Sequence, residues 1–182
     1  LHLGLGDVDQ HGLAGAQGVD GVGHAQSGVI QRRKLPPPAS VQVYELTDWG
    51  YEIEPVFMVL GRWAARSPQH DPTLPISAVS IMQSFKTMFD PARARGAEMR
   101  LGFVLGEDRM VVSVAGGAID AVCGEVEGCD VVVRAPAQVV AAAVYGKVPP
   151  AALEGEGAMT IEGDRATFAR FVDFFHLPDK AG

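Results

Sequence analysis

Apolar positions follow three successive rhythms along this chain. Two short runs of strand-forming residues, 28–35 and 41–46, carry Val29, Ile30, Val41, Val43 and Tyr44. Between them Pro36, Pro37 and Pro38 cannot donate ladder hydrogen bonds, so they end the first strand and stiffen the tip. The period then turns helical over 47–66, where Ile53, Val56, Phe57, Leu60 and Ala64 recur at i, i+3, i+4, i+7 and i+11. Thr47 suits an N-cap, Asp48 suits the positive first turn, and Pro55 should kink this helix or mark its first turn. Met58, Val59 and Trp63 widen the apolar surface beyond one stripe, which calls for more than one neighbour, a partner subunit among them.

After a proline-rich linker at 67–75, residues 76–182 read as a complete α+β unit. Ala78, Ile81, Met82, Phe85, Met88 and Phe89 keep helical spacing up to Pro91. Alternation follows, with Met99, Leu101, Phe103 and Leu105 on one face, then Met110, Val112 and Val114. Gly106–Asp108 and Gly116–Gly117 are the turns between them. Two more strands fit 118–124 and 129–135. A helix opened by Pro136 at N1 fits 137–145, and a short helix is expected after Pro150. A last strand at 159–162 leads to a helix capped by Asp164 and lined by Phe168, Phe171, Val172 and Phe175.

Residues 1–27 break every rhythm. They are rich in glycine, hold His2, His11 and His24 and three aspartates, and carry no Lys or Arg. This start is expected to be loosely structured or an aberrant reading frame, and its histidine spacing matches no compact metal site. The chain as a whole carries a net charge of −7. There are 5 basic and 8 acidic side chains in residues 1–76, and 10 and 14 in the remainder. Neither part is a general polyanion binder, so nucleic-acid contact must come from the local patch Arg32, Arg33 and Lys34.

No apolar run approaches the ~18–20 residues of a membrane span, and two cysteines make no disulfide framework, so the expectation is a cytoplasmic protein. Cys123 and Cys129 read as small hydrophobes, and Glu125, Glu127, Asp130, Glu154 and Glu156 as solvated loop charges. No phosphate loop, zinc motif or nucleophile elbow is present, so no catalytic set, metal site or cofactor is expected.

Two resemblances sharpen this reading. GVIQRRKLPPPAS, VYELTDWG and EPVFMVLGRWAAR, over about 28–67, resemble the C-terminal half of HxlR-type winged-helix regulators. That implies a partial winged helix, a β-hairpin wing plus a helix. Arg32, Arg33 and Lys34 would contact the phosphates of double-stranded DNA, and Ile53, Phe57, Leu60 and Trp63 would form a homodimer interface. The family's recognition helix has no counterpart before Gly28.

Residues 76–178, through GCDVVVRAPAQVVAAAVYGKVPP and AMTIEGDRATFARFVDFF, resemble the sterol carrier protein 2 fold. That implies an α+β domain with a mostly antiparallel sheet of about five strands around an apolar tunnel. Phe85, Met88, Phe89, Phe103, Val112, Val133, Val140, Val144, Phe168, Phe171 and Phe175 would line the tunnel as a set, while each taken singly reads first as ordinary core.

The leading expectation is therefore a dimeric winged-helix transcription regulator, not an enzyme, whose second domain senses a hydrophobic small molecule. The alternative is a lipid- or sterol-binding carrier module with a vestigial DNA-binding half. A third reading makes 76–182 the accessory domain of an enzyme.

Overall fold

The structure is a computed structural model, and it describes residues 28–34, 42–71 and 74–182. The N-terminal expectations, including the metal reading of His2, His11 and His24, lie outside the described residues, as do the proline tip and the side chain of Lys34. The chain divides into two units, one ending at Phe57 and one running from Met58 to Gly182.

In the first unit β1 (Ile30–Lys34) and β2 (Gln42–Leu46) form an antiparallel hairpin, with Arg32 opposite Tyr44 and Arg33 opposite Val43. Thr47 then locks the next turn. Its backbone N–H donates to Val29 O at 3.0 Å, and its hydroxyl donates to Gly28 O at 2.6 Å. The same oxygen accepts from Gly50 N at 3.0 Å, capping α1 (Asp48–Tyr51). A Cβ on Gly50 would lie 2.2 Å from Val29 O, so only glycine fits there. The Thr-x-x-Gly spacing in LTDWG is thus a cap and a close approach built together. The single helix expected over 47–66 is broken: α1 stops at Tyr51, and α2 (Glu54–Ala65) starts afresh with Pro55 in its first turn. Pro55 has no N–H to give to the carbonyl of Tyr51, so the ladder cannot run through.

The second unit is α+β. Its elements are α3 (Ala78–Met88), β3 (Met99–Leu105), β4 (Asp108–Ala115), β5 (Ala118–Cys123), β6 (Val131–Arg134), α4 (Ala137–Val144), α5 (Pro150–Gly155), β7 (Thr160–Gly163) and α6 (Arg165–Val172). The five strands lie in the order β5-β4-β3-β6-β7. Every pairing is antiparallel except β3 with β6, so the sheet is mixed. Gly116 and Gly117 both have positive φ (57° and 80°) and leave Ala115 opposite Ala118, the two-residue loop that suits the strand twist.

Register stacks the inner face in rows. Met110, Phe103, Val133 and Ile161 are aligned across four strands, and Ala121, Val112, Leu101 and Val131 form the next row. All eight are buried under α3 and α6. On the other face Gly102 lets Val126 close down, since a Cβ there would sit 2.7 Å from Val126.

Pro136 lies one position earlier than expected, as the N-cap of α4. The last helix is shorter than its apolar spacing implies. It ends at Val172, and Phe175 instead bridges Phe89 while Asp90 N donates to Phe174 O at 3.0 Å. Lys147 holds that ending. Its ammonium donates to Val172 O at 2.7 Å and to Phe175 O at 2.9 Å, from a backbone with φ of 54°. Burial lowers its pKa, partly opposed by Asp173.

Lys147→Ala keeps the left-handed φ and takes the donor from both carbonyls, so it should reduce unfolding free energy by about 1–2 kcal/mol. Lys147→Gly relaxes the backbone and should cost less. Denaturant unfolding of the two variants checks the order.

Candidate ligand-binding site

The phenylalanines expected to line a tunnel come together in one buried cluster. Phe85 on α3 meets Phe103 at a ring-centroid distance of 5.7 Å, Phe171 at 5.3 Å and Phe175 at 5.1 Å. Phe171 and Phe175 are 4.7 Å apart, and Phe168 packs on Phe103 and Phe171. Phe85, Phe103, Phe168, Phe171, Phe175, Val112, Val133, Val140 and Val144 are fully buried, Phe89 is buried, and Met88 is half-buried against them. Spacings of 5–6 Å are those of touching rings.

One polar pair sits within this layer. The Tyr145 and Ser84 hydroxyls hydrogen-bond to each other beside Phe85 and Phe175. Burial pushes the Tyr145 pKa well above its ordinary value, against the smaller opposing effect of Ser84.

Open space lies at the end of the sheet instead. A cleft of about 640 Å³ is formed where β3 and β6 finish and α3 and α4 begin. Ile76, Ser77 and Ala78 form one wall, and Val104, Leu105, Gly106 and Asp108 come from the β3–β4 turn. Arg134, Ala135, Pro136 and Ala137 come from the β6–α4 junction, with Ala158 beside β7.

Each part is fixed locally. Ser77 caps α3, accepting from Ser80 N at 3.1 Å. Gly106 takes φ of 72° for the turn, and Ala135 N donates to Val104 O at 3.2 Å. Arg134 donates through Nε to Glu162 at 3.0 Å, a partnership that raises its pKa and keeps its charge. The walls are mostly apolar and short, with charge only at Arg134 and Asp108. The hollow is wide open to solvent. A second hollow of about 310 Å³ lies among Trp63, Ala64, Arg66, Ser67, Pro68 and Ala181. None of the residues expected to bind ligand lines either space.

The hairpin cations are engaged within their own hairpin. Arg33 Nε lies 2.8 Å from Glu45 Oε2. Arg32 donates to the Tyr44 hydroxyl at 3.1 Å, with its guanidinium 5.4 Å above that ring. Ile53, Phe57, Leu60 and Trp63, expected at a dimer interface, are exposed.

Two acids expected to be merely solvated prove structural. Asp130 accepts from Arg100 N at 2.7 Å. Glu154 takes Arg165 at 2.8 Å and Ile161 N at 3.3 Å, contacts that lower its pKa, with the Arg165 hydrogen bond the largest cause. Among the described residues no group of three or more His, Cys, Asp or Glu is placed to hold a metal, and no helix is long and apolar enough to cross a membrane. The cleft residues were missed because Ala, Pro and Gly at element ends read as punctuation. Only the parallel β3–β6 pairing makes neighbours of Leu105 and Ala135.

No family model matches this sequence, and no curated protein matches it. Solved structures do. The stereoselective inverting sec-alkylsulfatase Pisa1 from Pseudomonas sp. is similar with a TM-score of 0.52 at 15% identity, over 59% of this chain and 17% of that one. At that identity the likeness is one of fold, and it concerns a small part of the sulfatase. UbiJ-SCP2, a ubiquinone synthesis protein, is similar over 71% of this chain and 93% of its own, at 18% identity and a TM-score of 0.42. Palmitated SCP2L2 from Aedes aegypti is similar over 54% and 93%, at 19% identity and a TM-score of 0.40. At those TM-scores the last two carry no argument about this chain. None of the three lends support to a regulator that binds DNA.

Tyr145→Phe takes the hydroxyl partner from half-buried Ser84 and should lower stability by about 1 kcal/mol, with most of it recovered in the Ser84→Ala/Tyr145→Phe double variant. Above the ordinary tyrosine value of 10.0 the unfolded chain releases a proton that folded Tyr145 retains, so stability should fall as pH rises. Unfolding midpoints measured across that range should show a shallower fall in Tyr145→Phe.

Proposed function

We propose that the unit from Met58 to Gly182 is a binding module for a hydrophobic small molecule or lipid, acting without chemistry of its own. The observation that carries this reading is the 640 Å³ cleft with mostly apolar walls at the end of the sheet. Its size lies within the ~300–1,000 Å³ of small-molecule sites. Two further points support it. The motifs GCDVVVRAPAQVVAAAVYGKVPP and AMTIEGDRATFARFVDFF resemble the sterol carrier protein 2 fold, and the fold recurs within an enzyme named for alkyl sulfates. The regulator reading is the weaker one, because Arg32 and Arg33 already have partners on β2. Phosphate contact would compete with both.

The full chain, stripped of co-purified lipid, should bind a neutral apolar probe such as N-phenyl-1-naphthylamine saturably, with a blue shift of its emission. Ala158→Trp places an indole in the cleft at a half-buried position and should weaken the probe about tenfold or more, ~1.4 kcal/mol, with its melting temperature retained. Unchanged affinity in that variant, or no saturable binding by the wild type, would sink the reading.

A further inference from the structure

Among the described residues the sheet ends in β5 on one side and β7 on the other, so each of these strands turns one row of backbone groups away from its only neighbour. Register identifies those groups. Gly124 N donates to Arg109 O at 3.1 Å, one step beyond the Met110–Cys123 pair. Antiparallel pairs alternate between bonded and non-bonded. Val111–Val122 and Ser113–Asp120 are therefore bonded pairs, and Ile119 and Ala121 turn their N–H groups to the outer side of β5. At the other edge Asp164 N donates to Asp130 O at 3.0 Å, one step beyond the Val131–Gly163 pair. Val132–Glu162 is then a bonded pair, and the Ile161 N–H faces outward from β7.

A carboxylate meets an outward donor on each edge. Ala121 N donates to Asp120 Oδ1 at 2.9 Å, and Ile161 N donates to Glu154 Oε1 at 3.3 Å. A cation steadies each carboxylate. Lys86 Nζ, from α3, lies 3.7 Å from Asp120 Oδ1. Arg165, at the start of α6, donates to Glu154 Oε1 at 2.8 Å and to Oε2 at 3.4 Å. One acid belongs to the edge strand itself and the other to α5, yet both reach the same kind of atom.

We propose that Asp120 and Glu154 are edge guards that close the five-stranded sheet to a further strand from another chain. What they exclude is an extended backbone, because a strand adding to β5 or β7 bonds through these outward N–H groups. A carboxylate in that place also sets negative charge against the incoming carbonyl. The two guards differ in strength. The Asp120 side chain is 66% exposed, whereas that of Glu154 is 23% exposed and is gripped at both oxygens. The β5 edge is thus the one that opens first.

Backbone amide exchange, followed by NMR on the full chain, reads the guard on β5 directly. Asp120→Ala should speed exchange at Ala121 by about tenfold, and by more than at Leu101 in the sheet centre. Asp120→Asn keeps an acceptor oxygen and should restore most of the protection. Sedimentation velocity over a concentration series reads the consequence. Asp120→Ala should associate beyond the wild type, Asp120→Asn should not, and adding Glu154→Ala to Asp120→Ala should deepen the association. Val140→Ala on α4 lowers stability without touching either edge and should keep the wild-type state. Exchange at Ala121 indifferent to Asp120→Ala would overturn the proposal. So would equal association by Val140→Ala, or an Asp120→Ala/Glu154→Ala variant that matches the wild type at every concentration.

Discussion

The packing of one ring sets the second unit. Phe85 reaches from α3 to Phe103 on the sheet, Phe171 on α6 and Phe175 beyond that helix. Helix, sheet and C-terminal segment are therefore registered against a single side chain with no exposed surface. Closely packed interiors tolerate few voids. Open space lies at the end of the sheet, where six of the twelve lining residues are Ala, Pro or Gly.

A second constraint concerns where helices stop. Three of them end on a cation drawn from elsewhere in the chain. Arg62 donates to the carbonyls of Thr87 and Phe89 at the close of α3. Lys147 does so for α6, and Lys180 donates to Ala65 O at 3.2 Å and Ser67 O at 3.1 Å after α2. Terminal carbonyls lack intrahelical partners, and a cation there also opposes the negative end of the dipole. The C-terminal segment is fastened in the same place, with Ala181 N donating to Arg66 O at 2.7 Å.

Much of this was legible beforehand, for physical reasons. Alternation along 99–105 and 110–114 fixed both face and strand, because a strand covered on one side must alternate. Thr47 and Asp164 announced their helices, since their oxygens are the natural acceptors for first-turn N–H groups. The parallel β3–β6 pairing was not legible, because nothing local distinguishes Val131–Val133 from an antiparallel strand. Periodicity also carried the last helix too far. Phe175 keeps the spacing of Phe168 and Phe171, yet its position is decided by Phe89 and Lys147. Apolar residues could be assigned to the interior as a set, but tunnel wall and packed core share one composition. The α2 face misled in a related way: its breadth was visible, while the choice of Gly61 and Ala65 as the inward side depends on Thr87.

The order of strands has a consequence for assembly. Two-residue loops join β3 to β4 and β4 to β5, so that meander closes with little loss of chain entropy. Strand β6 must return to β3 from beyond β5, with Leu101 meeting Val131, and β7 can dock only on β6. Long-range pairing of this kind forms late. Until it does, β3 offers an open edge bearing Leu101, Phe103 and Leu105, a template for strands of other nascent chains. The side of β3 that finally borders the cleft is therefore also the side on which a slow-folding chain would aggregate.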